Sequence, residues 1–513
     1  MLIVLSEFRT IGGMMATKSE DLSTGPAREV PDEQKWHLDA TVLAIFVFGV
    51  AFIFGTNREI FRDGDTSWHI AAGRWMIEHR EIPYTDPFSY TAFGKPWVAH
   101  EWLSEVLMAL VHGAFGYTGL ATFVALAVAA TFLILGMRLQ RWSPPVELCA
   151  QLMVVALALH PLIAARPLVL VWPLLALWTE ALLRAREQQR LPTLFLIPLT
   201  TLWINLHASF AVGLGLLAVF GVDAVCNAED RLRAFRQWFL FGSACGVASL
   251  FNPHGLAGAL FPLGVFTSHT VVLIDEFKPT RVDLFPAFEI ALLLFMAVSL
   301  WRGARLKLLP LFIVLAFLHL ALAHVRHQAL FLIVTALVAL PATTRAWIDD
   351  LPAKRPPLAV VRQRLGTVKT GAALLLAVLS ATSIIRFLAP SAPPESEVNA
   401  NRAFAWLPAG LRSERVLNEY SMGGPLILRG IKVFMDGRTD VYGDAHFLNY
   451  RDIAKGKPDR FSSAERKWGF CWTIFPPSDA EFVKLVDGAA GWKRVYSDRY
   501  AIVHVRPPCG PYR

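Results

Sequence analysis

The sequence contains few charged residues. Asp, Glu, Lys and Arg make up 18% of its 513 residues, whereas soluble domains contain about 25%. Hydrophobic residues make up 54%, and the mean hydropathy is +0.44. This composition excludes a disordered chain, a coiled coil and a disulfide-rich scaffold, and it argues against an ordinary soluble enzyme.

Cysteine and the common catalytic motifs are also scarce. Of the five cysteines, only Cys471 and Cys509 lie outside apolar segments, where they could pair if that region is periplasmic. HEXXH, a Walker-type GKS/T loop, GxSxG and CxxC are all absent. A zinc protease, a P-loop transporter and a hydrolase therefore have no motif support.

Long apolar segments are what the sequence does contain. They predict an α-helical polytopic membrane protein with about 11 transmembrane helices between residues 40 and 388. The segments lie near residues 40–56, 119–137, 146–163, 168–183, 192–208, 209–226, 237–252, 286–301, 308–322, 328–341 and 370–388. A further stretch, 102–115, is short and contains Glu105 and His112, which predicts a juxtamembrane or interfacial helix.

The basic residues between these segments indicate a topology. Alternate connections are rich in Lys and Arg, and by the positive-inside rule they are cytoplasmic. Apart from the long first loop, the other connections are short and contain only four cations, Arg166, Lys278, Arg281 and Arg326. We therefore expect residues 1–39 to form a disordered cytoplasmic tail and residues 57–118, the first loop, to lie outside. The net charge of +8 then reflects topology and implies no nucleic-acid partner.

After the last apolar segment the composition becomes mixed. Residues 389–397 are predicted to be a linker and residues 398–513 a small periplasmic α/β domain. Strands are predicted at RVLNEY, KVFMDGR, CWTIFPP, WKRVYSD and YAIVHVR, and helices at NANRAFAWLPAG, AHFLNYRDIAKG, SSAERKWG and DAEFVKLVDG. Gly423, Gly424 and the segment 436–438 lie at predicted strand ends, where they could serve ligand binding, a turn or a structural ion pair.

The first loop contains the most unusual polar residues. Asp65 is placed to cap a helix over about 66–80, with Asp63 just before it and His69 one turn later. His100 and Glu101 begin the 102–115 helix. The acidic pair has three interpretations: a helix cap, a base that deprotonates an acceptor hydroxyl, or a site for a divalent cation.

The helix after Asp65 is predicted to be amphipathic. Its apolar positions, Trp68, Ala72, Trp75 and Met76, form one stripe. Because the helix adjoins a bundle of membrane spans, we expect it to lie along the membrane surface.

Four later residues are candidates for contacts with a substrate. Arg166 could bind a lipid phosphate through its guanidinium, or it could be an ordinary interfacial cation. Asn205 and His207 could bind sugar hydroxyls or bridge neighbouring helices. Arg326, between two histidines, indicates a polar wall that faces phosphate, because its charge disfavours a metal site there.

These residues carry a resemblance to a known superfamily. A first helix is followed by an Asp motif that opens an amphipathic helix, then by the Lys95–Pro96 turn and by another helix that enters the bundle. This order resembles the GT-C superfamily of polytopic glycosyltransferases, which includes bacterial aminoarabinose transferases and protein O-mannosyltransferases. Segments such as LWINLHASFAVG, FNPHG and KVFMDGRTDVYG are similar to less characterised bacterial members. Thr66 departs from the pattern, because the family has Glu after the Asp that Asp65 matches.

The resemblance implies an inverting glycosyltransferase of the bacterial inner membrane. The donor would be a polyprenyl-phosphate-linked sugar from the lipid bilayer, and the acceptor a periplasmic glycan, lipid or protein. Asp65 would be the base or would orient it, with Asp63 or Glu101 as the second carboxylate, and Lys95 and Arg166 would neutralise the donor phosphate. The other substrate-binding residues would be His69, His100, Asn205, His207 and Arg326.

A second hypothesis is a non-catalytic membrane scaffold or an export component for envelope polysaccharide with a GT-C-like frame. The Thr66 departure favours it, and so would scattered positions of Asp65, Lys95, Glu101 and Arg166. A transporter would show an internal repeat with interrupted half-helices, which the sequence lacks.

Overall fold

The computed structural model describes residues 46–52, 58–143, 145–267, 277–281, 286–348 and 392–512. The predicted tail at 1–39, the last predicted span at 370–388, and parts of the first span and of the linker lie outside these residues. Most of the described residues up to Ile348 are helical.

The helical part follows the predicted apolar segments. Its α-helices are α1 (Asp65–His79), α2 (Trp102–Leu139), α3 (Pro145–Leu159), α4 (Pro167–Leu170), α5 (Trp172–Glu187), α6 (Leu196–Leu206), α7 (Phe210–Asn227), α8 (Arg231–Ala248), α9 (Gly255–Thr267), α10 (Ala287–Trp301), α11 (Leu308–Ala323), α12 (Gln328–Val338) and α13 (Leu340–Ile348). Short 3-10 helices occupy Arg58–Phe61, His160–Leu162 and Val325–His327. Each predicted segment from 119–137 to 328–341 coincides with one or two of these helices.

Several of these helices have membrane character. Among the described residues, Trp102–Leu139, Pro167–Glu187 and Phe210–Asn227 are long and apolar enough to cross a membrane, and six more apolar helices are shorter. Large apolar side chains such as Leu300 and Leu308 are exposed on the outside. Soluble proteins rarely expose many of these, so the outer surface is suited to lipid.

The bundle has a packed interior and charged helix ends. Trp178 and Trp203 are fully buried in its core, and their rings meet edge to face with centroids 5.9 Å apart. At one end, Arg138 at the end of α2 pairs with Glu187 at the end of α5. This arginine, which the sequence places in a cytoplasmic connection, is thus neutralised by an acidic side chain of a neighbouring helix.

Helix α2 is broken at Gly116, where φ is 60° and ψ is −157°. The break separates the predicted 102–115 helix from the 119–137 span. The first segment packs along α1 so closely that a Cβ at Gly73 would lie 2.0 Å from the carbonyl oxygen of Glu105. This contact between helix backbones brings the polar residues of the first loop together.

The C-terminal domain is built around a four-stranded sheet in the order β1-β2-β4-β3. Its strands are β1 (Val416–Asn418), β2 (Trp472–Phe475), β3 (Lys493–Ser497) and β4 (Ile502–Val505). β1 and β2 are parallel, and the other pairs are antiparallel. Its α-helices are α14 (Asn401–Trp406), α15 (Ala409–Arg412), α16 (Gly423–Leu428), α17 (Thr439–Tyr442), α18 (Asp444–Ala454), α19 (Pro458–Trp468) and α20 (Ala480–Asp487), with a 3-10 helix at Tyr420–Met422. Cys471 and Cys509 form a disulfide, which the sequence left open as a possibility.

One predicted strand, KVFMDGR, does not belong to the sheet. Val433 N donates to the Phe88 carbonyl at 3.3 Å, and Tyr90 N donates to the Val433 carbonyl at 3.2 Å. The Asn418 side chain accepts from Phe434 N at 2.9 Å. Because the first loop and an amide side chain satisfy its backbone groups, this segment has no place in the ladder, and the strand prediction is wrong.

A second hydrophobic core joins the C-terminal domain to the first loop. Trp68, Met76 and Trp97 of the loop pack in one cluster with Phe434 and Trp472 of the domain. The apolar stripe of α1 is therefore covered by protein, so it is not a lipid-facing stripe of the kind from which a position along the membrane surface was expected. An apolar stripe shows that a helix buries one face, and tertiary packing decides what covers it.

Candidate functional site

Asp63, Asp65 and Arg166 meet where α1 begins. Arg166 Nη2 lies 2.9 Å from Asp65 Oδ2 and also forms an ion pair with Asp63 Oδ2. Arg166 directly precedes α4, and the adjacent Ala165 N donates to the Ile60 carbonyl at 2.9 Å. This backbone contact holds two distant parts of the chain together. The predicted carboxylate pair and the predicted phosphate-binding arginine therefore form one group, the Asp–Arg cluster.

Asp65 does not cap α1 as the sequence predicts. Gly64 occupies the N-cap position, and no side chain caps the helix there. Asp63 Oδ1 instead accepts the N–H of Asp65 at 2.9 Å, and Trp68 Nε1 donates to Asp65 Oδ1 at 3.0 Å. The Asp65 carboxylate is thus oriented by an indole N–H and a guanidinium.

Thr66 is a supporting residue of this cluster. It is buried, and its hydroxyl donates to the Ala165 carbonyl at 3.0 Å. The side chain that replaces the family's Glu therefore ties α1 to the segment that precedes Arg166. Position 66 contributes no carboxylate to the site.

A second group of ionisable residues surrounds Glu101. His207 Nε2 lies 3.2 Å and His100 Nε2 lies 3.6 Å from Glu101 Oε1. His69 Nε2 lies 3.7 Å from Glu101 Oε2, and its Nδ1 lies 3.2 Å from Glu105 Oε1. These five residues, the His–Glu cluster, come from α1, from the start of α2 and from the turn between α6 and α7.

The hydrogen-bond partners of His207 indicate its tautomer. Its Nδ1 accepts the backbone N–H of Ser209 at 2.9 Å, so Nε2 carries the proton and donates to Glu101. The turn is held in place because the Ser104 hydroxyl, on the first turn of α2, donates to the Leu206 carbonyl at 2.8 Å.

Burial and the central carboxylate determine the charges in the His–Glu cluster. Burial lowers the pKa of His69 to about 3 despite the opposing charge of Glu101, so the His69 ring is neutral near pH 7. Burial raises the pKa of Glu101, but His100, His207 and His69 outweigh it and hold that pKa well below its usual value. Burial lowers the pKa of His100, but Glu101 more than offsets this, and the His100 pKa is raised. Glu101 is therefore an anion paired with a readily protonated imidazole.

The two clusters adjoin each other. The ring of Trp68, which donates to Asp65, lies tilted against the ring of His69 with centroids 3.6 Å apart. The charge of Arg166 also acts on His69 and contributes to its lowered pKa. The candidate site is therefore continuous from Asp65 to Glu101.

Three buried residues of the His–Glu cluster have a geometry that suits a metal ion. One ligand atom each from His69, Glu101 and Glu105 lies within 4.8 Å of the others. A neutral imidazole and carboxylates are ligands that zinc and related cations use. The pair predicted for a cation, Asp63 and Asp65, has the guanidinium of Arg166 as its positive partner instead.

Lys95 and Arg326 lie at the periphery of the site. Lys95 is exposed, and its charge contributes to the lowered pKa of His446 in the C-terminal domain. Arg326 lies over the Phe277 ring at 4.3 Å from the ring centroid, and its charge acts on His207. The structure thus places Arg326 within electrostatic reach of the His–Glu cluster, and Lys95 beside the C-terminal domain.

Asn205 bridges helices, which is the structural alternative that the sequence left open. Its Oδ1 accepts from Trp102 Nε1 at 2.6 Å. Its Nδ2 donates to the carbonyls of Thr201 at 2.7 Å and Phe251 at 2.9 Å. The bonds to Trp102 and Phe251 join α6 to α2 and to the segment after α8, whereas the bond to Thr201 lies within α6.

Two residues of the site were not predicted. The sequence marks Glu105 only as a charge in a short apolar stretch, although it lies one helical turn after Glu101, where side chains share a face. Gly437 lies against Asp65, since a Cβ at that position would be 2.0 Å from Asp65 Oδ1. No sequence signal links Gly437 to Asp65, because only the packing of the C-terminal domain on α1 brings these two residues together.

Comparison with known proteins supports one fold. No family model and no curated protein matches this chain. Among solved structures, ArnT from Cupriavidus metallidurans, crystallised with bound undecaprenyl phosphate, is similar with a TM-score of 0.51, over 92% of this chain and 99% of the ArnT chain, at 13% sequence identity. The chain has the fold of ArnT, which is GT-C-like.

The GT-C fold confirms the resemblance read from the first loop. It also confirms the coarser prediction of a mostly helical, multi-pass membrane protein with a small C-terminal sheet. At 13% identity, the similarity to ArnT concerns the arrangement of the chain. Undecaprenyl phosphate is the ligand of ArnT, and the GT-C fold alone does not make it the ligand of this protein.

Proposed function

We propose that this protein is a membrane glycosyltransferase that moves a sugar from a polyprenyl-phosphate donor to a hydroxyl of a cell-envelope acceptor. The observation that carries the proposal is the Asp–Arg cluster, in which Arg166 and Trp68 orient Asp65 at the start of α1. A GT-C fold with an oriented carboxylate at this position supports transfer chemistry.

Asp65 is the proposed general base, or it orients the base. The acceptor hydroxyl gives its proton to a carboxylate oxygen while the acceptor oxygen forms a bond to C1 of the sugar. The bond from C1 to the phosphate oxygen breaks, and the lipid phosphate leaves with the electron pair. Attack opposite to the leaving group inverts the configuration at C1. General-base assistance of this kind contributes about 100- to 10,000-fold in rate.

Arg166 is the better supported of the two cations proposed for the donor phosphate. It belongs to the Asp–Arg cluster, whereas the charge of Lys95 acts on His446 of the C-terminal domain. Arg326 is proposed to line the donor side, next to the His–Glu cluster, because its charge reaches His207. Charge that develops on the leaving phosphate needs fixed positive groups in a site shielded from water.

The His–Glu cluster is proposed to orient the acceptor. Glu101 is an anion that His100 and His207 hold in place, so it can accept a hydrogen bond from a sugar hydroxyl. A divalent cation held by His69, Glu101 and Glu105 would add positive charge close to the reacting groups.

We further propose that the chain crosses the inner membrane with about 11 spans between residues 40 and 388, and that the site lies on the periplasmic side of this membrane. The ion-paired arginines of the basic connections, such as Arg138, lie at helix ends. The Cys471–Cys509 disulfide supports an oxidising location for the C-terminal domain.

The test is a complementation experiment with lipid profiling. A deletion strain is expected to accumulate a polyprenyl-phosphate sugar, and the wild-type gene is expected to remove it. Asp65→Asn should fail to remove it at equal expression, whereas Asp459→Asn, at an exposed aspartate of α19, should act like wild type. Full removal by Asp65→Asn would overturn the catalytic assignment.

The alternative function is a non-catalytic scaffold for envelope polysaccharide export. The buried, hydrogen-bonded Thr66 favours it, because the position of the family's Glu has a structural role here. A deletion strain with unchanged lipid-linked sugars, but an export defect that Asp65→Asn repairs, would support the scaffold.

A further inference from the structure

The C-terminal domain touches the proposed catalytic carboxylate. An added Cβ at Gly437 would lie 2.0 Å from Asp65 Oδ1, 2.9 Å from Asp65 Cγ and 3.0 Å from Trp68 Nε1. Real Cβ atoms do not approach other atoms this closely, so position 437 has no room for a side chain while Asp65 keeps its place. The same surface meets both Asp65 and the indole nitrogen that donates to it.

Two further glycines, one on each side of the contact, allow the C-terminal domain to approach the start of α1 closely. A Cβ at Gly424 would lie 2.1 Å from the Gly64 carbonyl oxygen, and a Cβ at Gly64 would lie 2.0 Å from the Ser421 carbonyl oxygen. In both cases backbone faces backbone, which no change of rotamer can relieve. The sequence pattern that suggested a turn or a ligand loop at Gly423–Gly424 and at 436–438 is explained by this docking.

Gly437 cannot withdraw, because its two neighbours are anchored. Arg438 Nη2 donates to Asp436 Oδ2 at 2.7 Å, and Arg438 Nη1 donates to Asp86 Oδ1 of the first loop at 2.8 Å. All three side chains are buried. The Arg438 guanidinium also lies over the Trp97 ring at 4.8 Å from the ring centroid. The segment 436–438 is therefore held against the first loop through Arg438, and Asp436 is fixed in turn to Arg438.

We propose that Gly437 is a positioning residue for transfer: the C-terminal domain, through the segment 436–438, sets the direction of the Asp65 carboxylate toward Arg166 and the acceptor. The C-terminal domain is then part of the transfer site and not an accessory module. The inference rests on the proposed function of Asp65, and it adds that the chemistry of the first loop depends on a contact from a distant part of the chain.

Gly437→Ala is the direct test. The φ angle of Gly437 lies outside the left-handed region. An alanine at this position therefore acts through the contact with Asp65 and not through backbone strain. A displacement near 1 Å at a reacting group lowers the reaction rate about 100-fold. We expect kcat for transfer from a polyprenyl-phosphate sugar to fall about 10- to 100-fold, with the donor KM unchanged. Gly488→Ala is the matched control in the same domain, because its added Cβ meets atoms no closer than 3.6 Å.

Hydrogen exchange of the full-length protein in detergent gives a readout that does not need activity. Gly437→Ala is expected to speed exchange of the amides of residues 63–69 by at least 10-fold, while the amides of β2 and β4 keep wild-type protection. Gly488→Ala should change neither region.

The outcomes separate this inference from the proposed function. Wild-type kcat and wild-type exchange at 63–69 in Gly437→Ala would overturn the positioning role. Loss of protection throughout the sheet would also overturn it, because it would show a merely structural residue. If wild-type protein transfers no sugar, the proposed function fails, and the exchange of residues 63–69 alone then decides whether Gly437 orders Asp65.

Discussion

The Asp65 carboxylate and the Arg166 guanidinium pair at 2.9 Å, through a nitrogen that also pairs with Asp63. A planar guanidinium presents several N–H donors in fixed directions and can orient two carboxylates at once. A lysine ammonium is a point charge on a flexible stem. The relationship therefore predicts that shape matters at position 166 in addition to charge.

Replacing Arg166 by Lys is expected to lower the transfer rate at saturating donor by about 10-fold or more. The substitution keeps the charge but loses the geometry that orients Asp65. Initial rates in membranes supplied with donor measure the effect. Arg460→Lys is the control, because Arg460 is exposed and lies 3.7 Å from Asp452. An unchanged rate in Arg166→Lys would show that Arg166 does not orient the base.

Glu101→Gln is expected to change the pH dependence of transfer. Burial alone would lower the pKa of His100 below 6.5, and the Glu101 charge raises it above that value. Without this charge, His100 loses its proton at lower pH, so the alkaline limb of the rate profile should move to lower pH. Rates measured from pH 5 to 9 check this, with the exposed Glu481→Gln as control. A limb that stays in place would exclude His100 as the titrating group.

Glu419→Gln is expected to stabilise the protein at high pH. Burial and then the charge of Asp479 raise the pKa of Glu419 to about 7 from 4.5. The folded state therefore binds this proton more tightly than the unfolded chain. The stability it contributes is complete below pH 4.5 and is lost as the pH rises through about 7.

Glutamine can still accept the N–H groups of Ser421 and Met422, which Glu419 accepts at 2.7 and 3.1 Å. Thermal unfolding of the purified protein at pH 5 and pH 8 measures the difference. The variant should melt higher than wild type at pH 8, with a smaller gain at pH 5. An equal gain at both values would contradict the assignment of this titration to Glu419.

Arg438→Met is expected to destabilise the C-terminal domain by about 3–5 kcal/mol, because Asp86 and Asp436 would remain buried without their shared cation. Arg506→Met removes a largely exposed partner of Glu465 and should cost less than about 1 kcal/mol. Denaturant unfolding followed by tryptophan fluorescence compares the two. Equal losses of unfolding free energy in the two variants would show that the buried Arg438 network stabilises the protein no more than an exposed ion pair does.

The local features of the site were largely predictable. The start of α1 at Asp65, the following His69 and the start of α2 after Glu101 follow from apolar periodicity and from residue types that favour helix starts, although no side chain caps either helix. Four of the predicted strands follow from the same short-range patterns. KVFMDGR has strand-like residues as well, but its hydrogen bonds go to Phe88 and Tyr90 of the first loop.

The sequence by itself determined that this is a multi-pass membrane protein with a GT-C-like first loop and a small mixed C-terminal domain. Apolar length, loop charge and motif order are properties of the chain read along one dimension. Tertiary structure decided that Arg166 pairs with Asp63 and Asp65 and that three histidines surround Glu101. It also decided that Gly437 lies against Asp65. Those contacts join segments that are distant in sequence, and they form because the close packing of buried elements brings these segments together.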